Sequence, residues 1–491
     1  MGVLSELKPV SVWKYFEDIC GIPRTSKHEE KIREFLLQFA AENKLEASED
    51  EIGNIIIIRP ASPGMEGRKT VVLQSHLDMV GEKNADHPHN WLNDPIIPKI
   101  NGDWVSATGT TLGADDGIGI AAQMAILTDK EIKAGRIECL FTVDEESGMT
   151  GAINLKPDFF SGRILINLDS EDEGILYIGC AGGMDTVGSM TYVPVRNDKQ
   201  KTALEIKITG LHGGHSGDEI HKGYANSIKI MTRIIRNIQE NYPVALAFFD
   251  GGNLRNAIPR EAFATIVCGN QHTEDIIRSV QDFSVTLADE FRATEKEMKI
   301  SAGQVPAPEF VIDIDSQNKL LSALTCCPHG AIAWSKDMED LVETSCNLAS
   351  VKFSGKNEIK IVTTQRSSIE SSKKEVAAMV ETCLALAGAQ VVHSDGYPGW
   401  RPNINSGILS ITKSSYINLF AKEPKIRAIH AGLECGLIYE KFRGIDMISF
   451  GPTILGAHTP EEKIEIRTAQ MFWDLLLDVL NNIPEETSDP N

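Results

Sequence analysis

No apolar run of 18 residues occurs in this sequence, so no membrane-spanning helix is expected. Basic charge is also scarce. Lysine and arginine total 48 against 69 aspartates and glutamates, a formal net charge of −21. Such a chain repels phosphate backbones and anionic bilayers, which argues against nucleic-acid and membrane partners. Paired cysteines are missing too. The nine present are scattered, odd in number and without a C-x-x-C pair, which argues against a disulfide framework and for reduced thiols in the cytoplasm. The first 20 residues lack a basic stretch followed by an apolar one. Val10, Val12, Trp13, Phe16 and Ile19 have helical spacing instead, so no signal peptide is expected. There is no low-complexity segment, and only the tail after Ile483 is expected to be disordered.

What is present is a 491-residue chain with 42% hydrophobic and 24% charged residues. That is a globular composition, too long for one core. Up to residue 185, strand and helix patterns alternate: helical spacing at Lys27 to Glu42, β-branched Asn54 to Arg59, then Thr70 to Gln74, the alanine-rich Ala114 to Leu127, Arg136 to Val143 and Arg163 to Leu168. This predicts an α/β domain with a central, mostly parallel sheet. From Thr186 the pattern becomes α+β. Strands are expected at Ala203 to Thr209, Val244 to Phe249, Ala262 to Cys268, Ala349 to Ser354 and Ile359 to Gln365, and helices at Ala225 to Ile238 and Lys373 to Ala387. Its two halves look loosely alike, as an internal duplication would. After the turn-rich Tyr397 to Pro402, α/β character returns. Thr459-Pro460-Glu461-Glu462 reads as a helix start with a capping box. The simplest architecture is a catalytic domain (1–185 and 398–491) interrupted by an inserted lid domain (186–397), with His458 returning to the site of His76.

Six short motifs carry metal-binding residue types: His76-Leu77-Asp78, Gly113 to Gly117, Asp144 to Gly148, Asn167-Leu168-Asp169, Gly213 to Gly217 and Gly456 to Thr459. Alone, each has an ordinary explanation. An aspartate heading a helix is a common N-cap, and an acidic pair is usually solvated. Together they supply two histidines and several carboxylates, enough to ligate two divalent metals and activate water. His76 and Asp78, two apart on an extended segment, share a face, so the imidazole can ligate while Asp78 supports it. Asp115 can bridge two metals. Glu145 and Glu146, in extended backbone, point to different sides, so one can ligate while the other accepts a proton. Asp169 competes for its role with Asp172 and Glu173. His215, with Asn256 and Arg366, could clamp a substrate carbonyl or carboxylate. His87 and His89 are read as exposed loop residues.

On these motifs the chain resembles the co-catalytic dizinc metallopeptidases over essentially its whole length, and most of all their Xaa-His dipeptidase branch. Where the wider family has lysine, Gly117 stands here, which fits that branch. The resemblance implies His76, Asp115, Glu146, Asp169 and His458 as metal ligands, with Asp115 bridging. It implies Glu145 as general base, Asp78 as the residue tuning His76, and His215, Asn256 and Arg366 as substrate contacts in the lid. It further implies two Zn2+ per chain, with Co2+ or Mn2+ as substitutes, dipeptide substrates of the carnosine-like Xaa-His class, and leaves open a homodimer through the lid domain. A tripeptidase, an N-acyl amino acid deacylase and a non-catalytic binding protein on the same fold are the alternatives.

Overall fold

The computed structural model describes residues 2–198 and 200–486. They cluster into two units. The first comprises Met1–Gly179, Trp400–Ala428 and Leu433–Asn491, and the second Cys180–Gly399 with Ile429–Gly432.

The first unit is built on an eight-stranded sheet. Its order is Glu46–Glu49, Ile55–Arg59, Ile137–Thr142, Val71–His76, Ile164–Asn167, Asp446–Ser449, Ile175–Cys180 and Lys425–Ile429. The four strands from Ile137–Thr142 to Asp446–Ser449 pair in parallel. They read as unbroken apolar runs, and Leu73, Cys139, Leu140, Phe141, Leu165 and Ile166 are completely buried. That is the signature of strands covered on both faces. The Ile55–Arg59 and Ile175–Cys180 flanks pair antiparallel. The sheet is therefore mixed, and the expectation of a mostly parallel one holds for its centre. Helix Ala114–Thr128 is apolar all round, and every residue from Ile118 to Leu127 is buried.

The second unit carries a nine-stranded sheet whose recorded pairings are all antiparallel. Two sets of strands meet at Val244–Gly251 and Val342–Ser354, through only Asp250↔Lys352 and Gly251↔Val351. Helices Ser227–Asn241, Thr273–Glu290, Ile314–Cys326 and Glu370–Leu386 close one core over the sheet. Helix Ser227–Asn241 shows why. Ile228, Met231, Ile234, Ile235 and Ile238 recur every three or four residues and are buried, and the Asn226 side chain accepts the Ile228 and Lys229 N–H groups.

Several local expectations fail. Thr459 to Glu462 does not start a helix; a turn leads to strand Lys463–Glu465, and the last helix begins at Ile466. Glu462 is drawn away to other backbone amides, so the capping box has no acid to close it. Glu145 and Glu146 are not extended; they open the one-turn helix Glu145–Gly148. His87 and His89 lie in a loop but are half-buried, with the His89 ring edge-on to Trp91 at 4.4 Å. The tail is ordered as far as Glu486, because Lys69 N–H donates to the Pro484 carbonyl and Glu486 N–H to the Gly67 carbonyl. Its remainder, 487–491, lies outside the described residues.

Candidate active site

Three neighbouring parallel strands deliver three site residues at their carboxyl ends. His76 closes Val71–His76, Glu145 follows Ile137–Thr142, and Asp169 follows Ile164–Asn167. Register keeps them level: His76 is opposite Thr142, and Gln74 opposite Asn167. This is where open α/β sheets bind ligands. Helix Ala114–Thr128 brings Asp115, where the backbone departs from helical geometry (φ −80°, ψ 111°). The loop after Leu455 brings His458, whose φ of 63° is uncommon for a residue with a side chain.

Asp115 stands between the two histidines. Its Oδ1 is 3.1 Å from His76 Nε2, and its Oδ2 is 3.2 Å from His458 Nε2. Asp169 Oδ1 lies 3.5 Å from His76 Nε2, and Glu146 Oε1 lies 3.0 Å from His458 Nε2. His76, Asp115 and Asp169 therefore form one donor group, and Asp115, Glu146 and His458 a second. His76 also groups with Glu145 and Glu146. Asp172 and Glu173 do not compete with Asp169. Each carboxylate accepts a tyrosine hydroxyl, from Tyr177 and Tyr416 respectively.

Asp78 holds two of these parts together. Its carboxylate accepts the backbone N–H groups of Glu145 (2.9 Å) and Glu146 (3.1 Å) and the Ser26 hydroxyl (2.8 Å). His76 Nδ1 lies 3.1 Å from the Asp78 carbonyl and 3.4 Å from Oδ1, which leaves the Nε2 lone pair for a metal. These donors and the His76 ring hold the Asp78 carboxyl down at about 2, although burial pushes the other way.

The site is crowded with acid. Burial first, and neighbouring carboxylates second, push Asp169 up to about 7 and Glu171 up to about 8. Glu434 also rises to about 8, mainly through burial, and Glu145 rises for the same reason with Asp169, Glu434 and Glu146 adding to it. His458 is driven up to about 11 by the carboxylates of Asp115 and Glu146. Carboxylate oxygens and imidazole nitrogens thus meet in pairs at contact distance in an acid-rich site, buried around His76 and open to solvent at His458. With the rings neutral both partners offer lone pairs, so metal cations can take the place of the protons that otherwise bridge them. The oxygen and nitrogen donor set fits two borderline divalent ions such as zinc.

In the second unit, strand Glu358–Ser367 carries Arg366, and the segment after Thr209 carries His215. His215 Nδ1 accepts the N–H groups of Gly217 (3.3 Å) and Asp218 (3.1 Å), so the ring proton sits on Nε2. Burial lowers the pKa of this ring and keeps it a neutral donor. Asn256 is exposed and close to His215 along the chain pairing. Its carbonyl accepts Ser216 N–H at 2.8 Å, and Ala257 bridges His215. Arg366 is 7% exposed; Nη1 donates to the Tyr397 hydroxyl at 3.0 Å, while Nε has no partner among the described residues. A buried guanidinium edge left open in this way is suited to an anionic ligand.

Sequence reasoning missed several neighbours. Buried His430, its ring 2.8 Å from Ser345 Oγ, is pushed down to about 3 by burial and by Arg366. In the sequence Tyr397 stands out only as part of a turn. Glu434 accepts from Gln74 and Thr142 beneath His76. Glu462 and Arg24 lie behind Asp115. A lone residue in a loop or helix start offers no periodicity, so only the fold reveals these contacts.

The family model described as peptidase family M20/M25/M40 matches residues 72–482. The cytosol non-specific dipeptidase of Escherichia coli (strain K12) is 40% identical over 484 residues, covering 99% of this chain and all of that protein. The solved structure of an aminoacylhistidine dipeptidase from Vibrio alginolyticus superposes with a TM-score of 0.93 at 41% identity, covering 98% of both chains. A tripeptidase from Staphylococcus aureus, at 16% identity and a TM-score of 0.57 over 97% of this chain and 99% of its own, is similar in fold.

Proposed function

This chain belongs to peptidase family M20/M25/M40, and from that we propose that it is a dipeptidase using two Zn2+ to hydrolyse Xaa-His dipeptides such as β-alanyl-histidine. The observation that carries the reading is Asp115, whose two oxygens face His76 and His458 from opposite sides. The two relatives that are 40% and 41% identical over nearly the whole chain are dipeptidases by name. In this reading His76, Asp115 and Asp169 would hold one ion, and Asp115, Glu146 and His458 the other. Co2+ and Mn2+, which accept the same donors, can substitute. The bound ions supply Lewis acidity and lower the pKa of water toward about 7.

The chain's own residues do the rest. Glu145 takes the proton of the attacking water and returns it to the leaving amine, so no acyl-enzyme forms. Asp78 fixes Glu145 through its backbone N–H and fixes the tautomer of His76. His215 donates a hydrogen bond from Nε2–H to the substrate carbonyl oxygen as charge develops there. Arg366 binds the substrate carboxylate with its forked donors, and Asn256 contacts the substrate beside it. Residues 186–397 act as a lid inserted into a catalytic domain of 1–185 and 398–491. It closes by rotation near residues 186 and 397. The protein acts in the cytoplasm. A pairing of two copies through the lid is checked by its mass in solution. The direct test is elemental analysis together with a dipeptide and tripeptide panel. Two zinc ions per chain and a preference for C-terminal histidine support the reading; a metal-independent rate contradicts it.

A further inference from the structure

Two buried charges behind the site have no part in that chemistry. Glu462 is 2% exposed. Its carboxylate accepts four consecutive backbone N–H groups: Leu112 at 2.7 Å and Gly113 at 2.9 Å on Oε2, Ala114 at 2.7 Å and Asp115 at 3.3 Å on Oε1. Arg24, also 2% exposed, grips the same turn from its carbonyl side. Nη2 donates to the Gly113 carbonyl, and Nη1 donates to the carbonyls of Leu77 at 2.9 Å and Asp78 at 2.7 Å.

Two glycines make room for this guanidinium. A Cβ at Gly113 would lie 2.8 Å from Arg24 Nη2, and one at Gly117 only 2.7 Å from it. Gly113 also has φ +69°, a conformation that glycine adopts without strain. The segments so joined are not arbitrary. Leu77 and Asp78 follow His76, the turn 112–115 ends on Asp115, and Glu462 comes four residues after His458.

We propose that Glu462 and Arg24 are positioning residues for the metal pair. They lock the Asp115 backbone with its two oxygens turned toward His76 and His458, and they tie the His76, Asp115 and His458 segments into one frame. This rests on the dinuclear reading above. A carboxylate takes all four amides because both its oxygens accept. A carboxamide has one acceptor oxygen, and its NH2 must face amide donors. Lysine in place of Arg24 keeps the charge but loses the fork that spans both segments.

The test is titration of the metal-free protein with zinc chloride by calorimetry, and with cobalt chloride by visible absorption. For Glu462→Gln and Arg24→Lys, the weaker of the two zinc sites should lose about 10–100-fold in affinity, the usual effect of disturbing the partners of metal ligands. The cobalt spectrum should change, and saturating zinc should recover most of kcat. Two zinc sites of parental affinity with unchanged cobalt spectra overturn the proposal. So does an equal weakening of both sites that merely follows a lower melting point of the metal-free protein. If Glu462→Gln does not fold, Arg24→Lys decides on the same criteria. The parent protein separates the two ideas. A parent that binds no metal pair overturns the dinuclear reading and the frame with it, whereas a parent with two metals and unaltered variants overturns the frame alone.

Discussion

Replacing Asp78 by asparagine probes the support of the site without removing a proposed ligand. Four groups converge on this carboxylate: Ser26 Oγ at 2.8 Å and Glu146 N at 3.1 Å on Oδ2, Glu145 N at 2.9 Å and His76 Nδ1 at 3.4 Å on Oδ1. Asparagine keeps the shape but only one acceptor oxygen. Its NH2 must face either Glu145 N–H or Glu146 N–H, and neither backbone donor can reorient. The Ser26 hydroxyl can rotate to accept, so it does not decide the outcome. At least one charge-assisted hydrogen bond is therefore lost, worth about 1.5–3 kcal/mol. At about 1.36 kcal/mol per decade of rate, Asp78→Asn should reduce kcat/KM by about 10- to 160-fold. The assay is hydrolysis of β-alanyl-histidine at saturating zinc, with zinc counted in the same samples. Both ions should remain. A kcat/KM within about threefold of the parent would refute the supporting role, and loss of one zinc would make Asp78 a ligand instead.

Other variants test the remaining roles. Glu145→Ala should keep both ions and lose about 10²–10⁴-fold in turnover, as removal of a general base does; near-normal kcat rules the assignment out. His76→Ala and His458→Ala should each lose zinc as well as activity, and full occupancy in either variant contradicts the ligand set. His215→Ala should lower kcat by about 10²–10³-fold with zinc retained, because an oxyanion donor acts mainly in the transition state. Arg366→Ala should raise KM for a dipeptide more than for its C-terminal amide; an unchanged preference between the two means that another group anchors the carboxylate.

The parts legible in the sequence were those with a period or a motif. Unbroken apolar runs marked the central strands, and strand ends marked where His76, Glu145 and Asp169 belong. The four-residue spacing of isoleucines marked helix Ser227–Asn241. What stayed hidden depends on contacts between distant segments. Thr459 to Glu462 has every local feature of a helix start, yet Glu462 gains four amides by turning toward Leu112–Asp115, and that outweighs its own cap. Arg24 is a lone arginine after an amphipathic helix, and its purpose emerges only once Leu77, Asp78 and Gly113 surround it. His430 sits in a four-residue excursion, Ile429–Gly432, which belongs to the second unit although its neighbours in sequence belong to the first. No periodicity announces such a crossing. The antiparallel sheet edges were invisible for a similar reason, since strand direction is set by connections rather than by composition.

In the reading proposed above, Asp115, between His76 and His458, organises a pair of metal ions for dipeptide hydrolysis. That role is tested most directly by stripping the protein with a chelator and following β-alanyl-histidine hydrolysis during stepwise return of zinc. The stripped protein should show no turnover, and activity should recover fully at two zinc ions per chain. Turnover that survives complete removal of metal, or recovery complete at a single ion, would contradict it.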